Sequence, residues 1–307
     1  MTAGSVFPRA RSFRIECWEA RDDMAATLFL VGTPIGNLED MTYRAVETLR
    51  SVPVVIAEDT RHTRILCSRF GIGAKLVSMP AFSEGERALG LVEKLADSGE
   101  SWAMVSDAGM PGISDPGSFL VETAVAQGIQ VVPIPGASAV VTALAASGLP
   151  TARFYFAGFL PRKGEHRRRL LNELKRLTAT IVIYESPERL GATLEELRDE
   201  WGERRAVVCR ELTKVHEEFV RGTLGSLAER FKDKPKGEIT LVVEGAGEQS
   251  SEAPLDDEAL RREILRRLQS GEDSVKDIAR ELASVSGRKK NELYAMVLRV
   301  RESAADT

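Results

Sequence analysis

The sequence predicts an α/β protein of two domains followed by a small helical one. Three observations lead there. The chain has 307 residues, about twice a common domain length of ~150. From residue 27 near-continuous apolar strands alternate with helical stretches, and after the small polar segment GEQSSEAP (247–254) only helical periodicity remains. With 43% apolar and 29% charged residues the chain can build a real core, which excludes disordered, collagen-like and coiled-coil classes. No apolar run approaches the ~20 residues needed to span a bilayer, so no membrane partner is expected.

Residues 1–23 carry charges of both signs and no apolar segment of the secretory kind, and are expected to form a poorly ordered extension, with Met24 a candidate start. TLFLVG (27–32) reads as a strand that closes on the turn GTPIGN (32–37). Helix follows from Asp40, then the strand VPVVIAED (52–59), a helix from about 83 to 98, and the strand segment WAMVSDAG (102–109). Helix 117–127, QVVPIPG (130–136) and a small-residue helix (137–147) complete a first domain over 24–148. Strands this apolar, separated by helices, belong to a parallel sheet buried on both faces.

In the second domain, 149–246, strands read RFYFAGF (153–159), ATIVIYES (179–186), RAVVCREL (205–212), EEFVRGTL (217–224) and EITLVVEG (238–245). The gap at 213–216 is hairpin-sized, so some pairing is antiparallel and the sheet is mixed. Past the linker 247–254, three helical patterns lie within 255–307, spaced compatibly with a helix-turn-helix-like unit.

The chemistry-bearing segments of the first domain all lie just past strand ends: GTPIGN, AEDTRHT (57–63), SDAGMPGISDPG (106–117) and PGASA (135–139). In open α/β sheets ligands bind at that edge, where loops vary over a rigid base. SDAGMPGISDPG holds three glycines, two prolines and two aspartates in twelve residues. Glycines allow positive φ and close approach to bare backbone, and prolines stiffen the path. Asp107 can accept from a ligand's hydroxyl or amine, with backbone of Ser106, Ala108 and Gly109 lining a pocket; a plain helix-capping loop is the competing reading. GTPIGN matches neither the dinucleotide fingerprint nor the P-loop, so Pro34 and Ile35 either wall a pocket or close a turn. AEDTRHT brings Glu58, Asp59, Arg61 and His62 straight off an apolar strand. They are either a solvated loop or groups that position and deprotonate a hydroxyl.

Three cysteines (Cys17, Cys67, Cys209) and three histidines (His62, His166, His216) are too dispersed for a disulfide framework or a metal site. No metal is expected, and a reducing cytoplasm suits such cysteine usage. The 42 basic and 46 acidic residues exclude a uniformly basic coat. Basic charge is nevertheless clustered, with seven Lys or Arg against two Glu in PRKGEHRRRLLNELKR (161–176), and further runs at 261–268 and 287–301. Any one run can be a solvated helix face; segregated charge can also attract phosphate. On the second reading Arg162, Lys163, Arg167, Arg168, Arg169, Arg288, Lys289 and Lys290 are the nucleic-acid-binding candidates.

TPIGNLEDMTYRAVETL, AEDTRHT, the SDAG…ISDPG loop, ESPERL, RELTK and VVEG together resemble the 16S rRNA cytidine-2′-O-methyltransferases of the tetrapyrrole methylase superfamily, from about 27 to 245 and more weakly through KKNELY. The resemblance implies two α/β domains of the tetrapyrrole methylase type, an active-site cleft between them that holds S-adenosylmethionine, a small C-terminal helical domain, and a homodimer. It implies methylation of a decoding-centre cytidine in rRNA of the small ribosomal subunit. Cofactor contacts carry over to Pro34, Ser106, Asp107, Ala108, Gly109, Ile113, Ser138, Ala139, Tyr184 and Leu212. Asp59 or Glu58 is nominated as the base, with Arg61, His62 and Lys163 orienting. The chain departs from the family pattern at Met110, Ala137 and Glu188, where Thr, Pro and His are usual, and at SMPAFSEGE (78–86), where a His- and Glu-containing run is usual. The rival readings are a precorrin or uroporphyrinogen C-methyltransferase of the same fold, and a non-enzymatic nucleic-acid-binding regulator.

Overall fold

The computed structural model describes residues 26–80, 84–247, 257–270, 274–286 and 288–305. The expected extension 1–23 and nearly all of the expected linker lie outside the described residues. The chain divides into two compact units, Met1–Pro34 with Leu38–Ala137, and Ile35–Asn37 with Ser138–Thr307. Among the described residues no helix is long and apolar enough to cross a membrane.

The first unit runs β1 (Thr27–Val31), α1 (Tyr43–Ser51), β2 (Val54–Ala57), α2 (Thr60–Phe70), β3 (Lys75–Ser78), α3 (Glu84–Ser98), β4 (Trp102–Val105), α4 (Ser118–Ala126) and β5 (Gln130–Ile134). The strands are parallel, in the order β3-β2-β4-β1-β5. Neighbouring residues of one strand serve opposite faces: Ile56 and Met104 join Leu28, Leu95 and Leu120, while Val55 and Ala103 join Val31, Leu49 and Leu66. Both faces are covered, which is why these strands read as unbroken apolar runs.

Two elements stand where no element was expected, α2 and β3. AEDTRHT is a loop only as far as Asp59, whose side chain caps α2, so Arg61 and His62 belong to a first helical turn. The helix ends at Gly71, whose φ of 63° sets the left-handed cap. Its buried stripe is thin (Thr63, Leu66 and Cys67), and β3 is a four-residue edge strand with no fully buried side chain, so neither has a strong pattern.

In the second unit α5 (Ala139–Ser147) precedes β6 (Phe154–Phe159), α6 (Glu165–Lys175), β7 (Thr180–Glu185), α7 (Leu190–Trp201), β8 (Arg205–Arg210), β9 (Glu218–Thr223), α8 (Leu224–Arg230) and β10 (Ile239–Val243). The sheet order is β6-β7-β10-β8-β9, with β6 and β7 parallel and the other pairs antiparallel. β8 and β9 form the hairpin that the short gap implies. Helix α5 packs on β10, so the border between units falls one helix before residue 148. Leu171, Leu174, Ile183, Leu194, Leu197 and Leu241 centre the core between sheet and helices. The last three helices, α9 (Asp257–Ser270), α10 (Val275–Ser286) and α11 (Lys290–Ala305), close a separate core around Leu260, Ile264, Ile278, Leu282, Leu293 and Val297.

Glycine matters most where β1 and β5 end. A Cβ on Gly136 would stand 2.6–2.7 Å from the backbone of Gly32. Backbone cannot retreat as a side chain can, so Gly136→Ala should cost about 1–3 kcal/mol in urea denaturation. Gly90, inside α3 with nothing within 4 Å, should respond oppositely. Gly90→Ala should raise stability by about 0.5–1 kcal/mol, because only the helix-propensity penalty is removed.

Candidate functional site

Parallel strands end at one edge, and contacts gather the loops of the first unit there. Thr33 and Gly109 exchange backbone hydrogen bonds (2.9 and 3.2 Å), and the Thr33 hydroxyl donates to the Ser106 carbonyl at 3.1 Å. Gly32 donates to the Ile134 carbonyl at 3.0 Å. Asp107 Oδ1 accepts from the Asp59 N–H at 3.2 Å, and Oδ2 lies 3.1 Å from His62 Nδ1. The loops after β1, β2, β4 and β5 thus form one cluster, as four loops on one sheet edge require.

Within it Pro34, Ser106 and Gly109 are buried, Asp107 and Ala108 are exposed, and Ile113 presents its side chain at 54% exposure. Gly109, Gly112 and Gly117 take φ of 85°, 80° and 135°. Ser114 does so without being glycine, at 63°. Such strain persists where the surroundings impose it, and it collects at ligand sites. The usual Thr is replaced by Met110, whose sulfur packs against Gly32.

The acidic groups are not equivalent. Asp59 accepts from the Arg61 guanidinium (2.6 Å) and backbone N–H (2.8 Å), which hold its carboxyl well below the usual carboxylate range. That makes it a weak proton acceptor and corrects its nomination as base. Glu58 is pushed upward, first by burial and then by the charges of Asp115 and Asp107. Asp115, absent from the sequence-derived candidates, is raised mainly by burial, with the Ser106 hydroxyl opposing the shift. Three carboxylates, Glu58, Asp107 and Asp115, therefore meet at this edge. His62 is exposed and anchored through Nδ1; with a proton there, Nε2 is an open acceptor.

In the second unit Ser138 caps α5 without a side-chain hydrogen bond, and Ala139 opens that helix. Tyr184 lies between Phe156 (4.8 Å, edge-on) and Phe159 (5.5 Å). Leu212 is buried between Glu211 and Thr213, both non-glycine residues at positive φ (52° and 66°). The Thr213 hydroxyl is buried without a hydrogen-bond partner among the described residues.

Arg167 requires a correction. It is 7% exposed, and its guanidinium binds Glu196 (2.8 and 2.5 Å), the Pro161 carbonyl (2.8 Å) and Thr193 (3.2 Å), so it is a structural anchor rather than a surface contact. Arg162, Lys163 and Arg168 are exposed and have no ion pair among the described residues. Arg169 approaches Glu165 at 3.8 Å, and Arg288 is tied to Asp257 (2.7 Å) while Lys289 and Lys290 stay exposed. No group of His, Cys, Asp and Glu suited to a metal is present among the described residues.

The tetrapyrrole (corrin/porphyrin) methylase profile matches residues 27–228. A protein of Halalkalibacterium halodurans named ribosomal RNA small subunit methyltransferase I is 50% identical over 234 residues, covering 76% of this chain and 80% of its own. Its namesake from Escherichia coli O157:H7 is 43% identical over 284 residues, covering 91% and 97%. The solved uroporphyrin-III C-methyltransferase of Thermus thermophilus, complexed with S-adenosyl homocysteine, shares the fold (TM-score 0.52, 21% identity, 71% of this chain and 97% of that one). By profile and by identity over most of its length, the chain belongs to the ribosomal RNA small subunit methyltransferase I family of tetrapyrrole methylases.

Proposed function

We propose that the chain transfers a methyl group from S-adenosylmethionine to the 2′-oxygen of a decoding-centre cytidine in 16S rRNA of the small ribosomal subunit, as a cytoplasmic homodimer. The relatives' shared name supports the rRNA substrate. The observation that carries the reading is the cluster around Asp107 at the sheet edge. S-adenosylmethionine supplies a methyl group on a positively charged sulfur. A site that brings Glu58, Asp107 and Asp115 together gains from such a cation; burial first, and the neighbouring carboxylate charges after it, raise Glu58 and Asp115. Pro34 and Ile113 offer apolar surface, and Ser106, Ala108 and Gly109 offer backbone groups; Ser138, Ala139, Tyr184 and Leu212 complete the proposed contacts. The buried Thr213 hydroxyl beside Leu212, without a hydrogen-bond partner among the described residues, fits a polar ligand.

Methyl transfer would break the sulfonium S–CH3 bond and the 2′ O–H bond and form O–CH3; the sulfur would leave with the bonding pair as a neutral thioether (S-adenosylhomocysteine), and the proton must be accepted. His62 is the proposed acceptor, through Nε2, with Asp107 fixing the ring. Alignment contributes most of the rate, and proton removal typically adds about 10²–10⁴-fold. Arg61 is committed to Asp59, and this pair sets the start of α2. A small anionic macrocycle would need neither the basic 161–176 segment nor α9–α11, which disfavours the C-methyltransferase reading. A regulator would need no ligand loops on the sheet edge.

The deciding assay is transfer of radiolabelled methyl to small subunits lacking this modification, followed by nuclease mapping; label on any nucleotide other than a cytidine would overturn the reading. His62→Ala should lower kcat about 10²-fold or more at unchanged cofactor affinity, while Asp59→Asn, which keeps the helix cap and loses only the charge facing Arg61, should cost less than about 1 kcal/mol, with under tenfold loss of rate. Glu58 is raised in the folded state, so its ionisation opposes folding as pH rises above its unfolded value of ~4.3. Glu58→Gln should therefore be more stable than wild type at pH 7, and the difference should shrink toward zero near pH ~4; equal stability at pH 7 would contradict the assignment. Removing 255–307 should weaken methylation of subunits and leave cofactor affinity within a few-fold, because α9–α11 have a core of their own.

A further inference from the structure

ESPERL is absorbed by none of the roles above. It begins at the end of β7 with Glu185, buried at 2% exposure. Glu185 accepts from the Ser186 N–H (2.7 Å) and the Thr193 hydroxyl (2.8 Å), and pairs with Arg189 (2.5 Å). Thr193 accepts in turn from Arg167, whose partner is Glu196. This network links the start of α6 to α7, and beside it opens a cavity of about 540 Å³. Arg162, Lys163, Gly164 and Arg168 line one side, and Glu188 and Ala192 the other.

The charges divide cleanly. Arg167 is neutralised by Glu196, and Arg189 by Glu185. What faces the cavity uncompensated is Arg162, Lys163 and Arg168 against Glu188 alone, a local excess of two positive charges. Arg167 makes four hydrogen bonds with its five donors and leaves one over. Gly164 starts α6 with no side-chain cap, so first-turn N–H groups add positive potential.

We propose that this cavity seats a single phosphodiester group of the rRNA substrate, with Arg162, Lys163 and Arg168 on its oxygens and the Arg167–Glu196 pair holding the surrounding loop and helix in place. The inference rests on the rRNA reading above and sharpens it: a basic segment becomes one seat with a fixed floor. The size suits a phosphate with its adjoining sugar. Glu188, where the family usually has His, weakens the seat.

The test measures binding of a small-subunit rRNA fragment to full-length protein as a function of salt, for wild type, the three single alanine variants, Arg162→Ala/Lys163→Ala/Arg168→Ala, and Glu188→Gln. S-adenosylmethionine affinity and methylation of subunits by the wild type serve as references. One shared phosphate predicts that the triple variant lowers the slope of log affinity against log salt by about 1, binds tenfold or more weakly near ~0.15 M salt, and loses less than its singles combined. Glu188→Gln should bind a few-fold more tightly. Cofactor affinity should not move, since none of these residues is a proposed cofactor contact. Additive losses with a slope change near ~2 would indicate three separate phosphates and overturn the single seat. An unchanged slope with active wild type would overturn the seat and leave the methyltransferase reading standing. A free cytidine monophosphate that binds as tightly as the fragment would assign the cavity to a nucleotide and overturn it too. A wild type that methylates no subunit would remove the rRNA reading itself and the seat with it.

Discussion

Two backbone hydrogen bonds between Thr33 and Gly109 decide where the longest loop of the first unit goes. They hold the segment after β4 across the sheet edge, together with the Thr33 hydroxyl on the Ser106 carbonyl and the Asp59 N–H on Asp107. With them it turns back over the end of β1, which brings Asp107 to the start of α2 and Ser106 under Asp115. Gly109 takes a φ of 85° at that contact, and beside it Gly32 and Gly136 let the ends of β1 and β5 touch without side chains between them. A few bare positions thus bring the loops at this edge together. The carboxylates are brought together by backbone geometry, and burial, reinforced by their neighbours' charge, raises Glu58 and Asp115.

Nine of the ten strands were legible in the sequence, their ends less so, and the central strands of the first sheet were clearest because strands covered on both faces have no polar alternation to blur them. Val54–Ala57 and Trp102–Val105 lie inside the expected 52–59 and 102–109. The parts that escaped are those whose pattern is weak for a physical reason. Helix α2 buries only three side chains of eleven residues, and β3 sits at an edge with half-covered residues. Loop convergence could be argued from strand polarity alone, since parallel strands end together. What strand polarity cannot supply is the pairing of side chains. Asp59 and Glu58 are adjacent in sequence and look interchangeable there, yet Arg61 holds the first ionised and burial disfavours ionisation of the second.

The same limit governs the basic segment. Arg167, Arg168 and Arg169 are consecutive and carry equal charge, and a count treats them alike. Helical geometry points Arg167 inward, where Glu196 and Thr193 take its donors, and leaves Arg168 outside. A buried ion pair of this kind adds little net stability once desolvation is counted, and its contribution is to fix geometry. Glu185 does similar work from β7, and its importance was visible only as the first letter of ESPERL. Segregating neutralised charge below from uncompensated charge above turns a stretch of cations into a shaped surface.

Ser114, Glu211 and Thr213 hold left-handed backbone that glycine or asparagine would adopt at lower cost, on the order of 1 kcal/mol per position. Glu211 is held there by Lys214 and the Glu238 N–H, both at 2.9 Å. Ser114 belongs to the most glycine-rich loop of the chain. A laboratory selection for heat resistance alone would reach Ser114→Gly or Ser114→Asn early, and would loosen the loop that shapes Ile113 in doing so. Thermal tolerance and catalytic performance are therefore set against each other at this residue, and an engineer seeking both should begin in α3 rather than here.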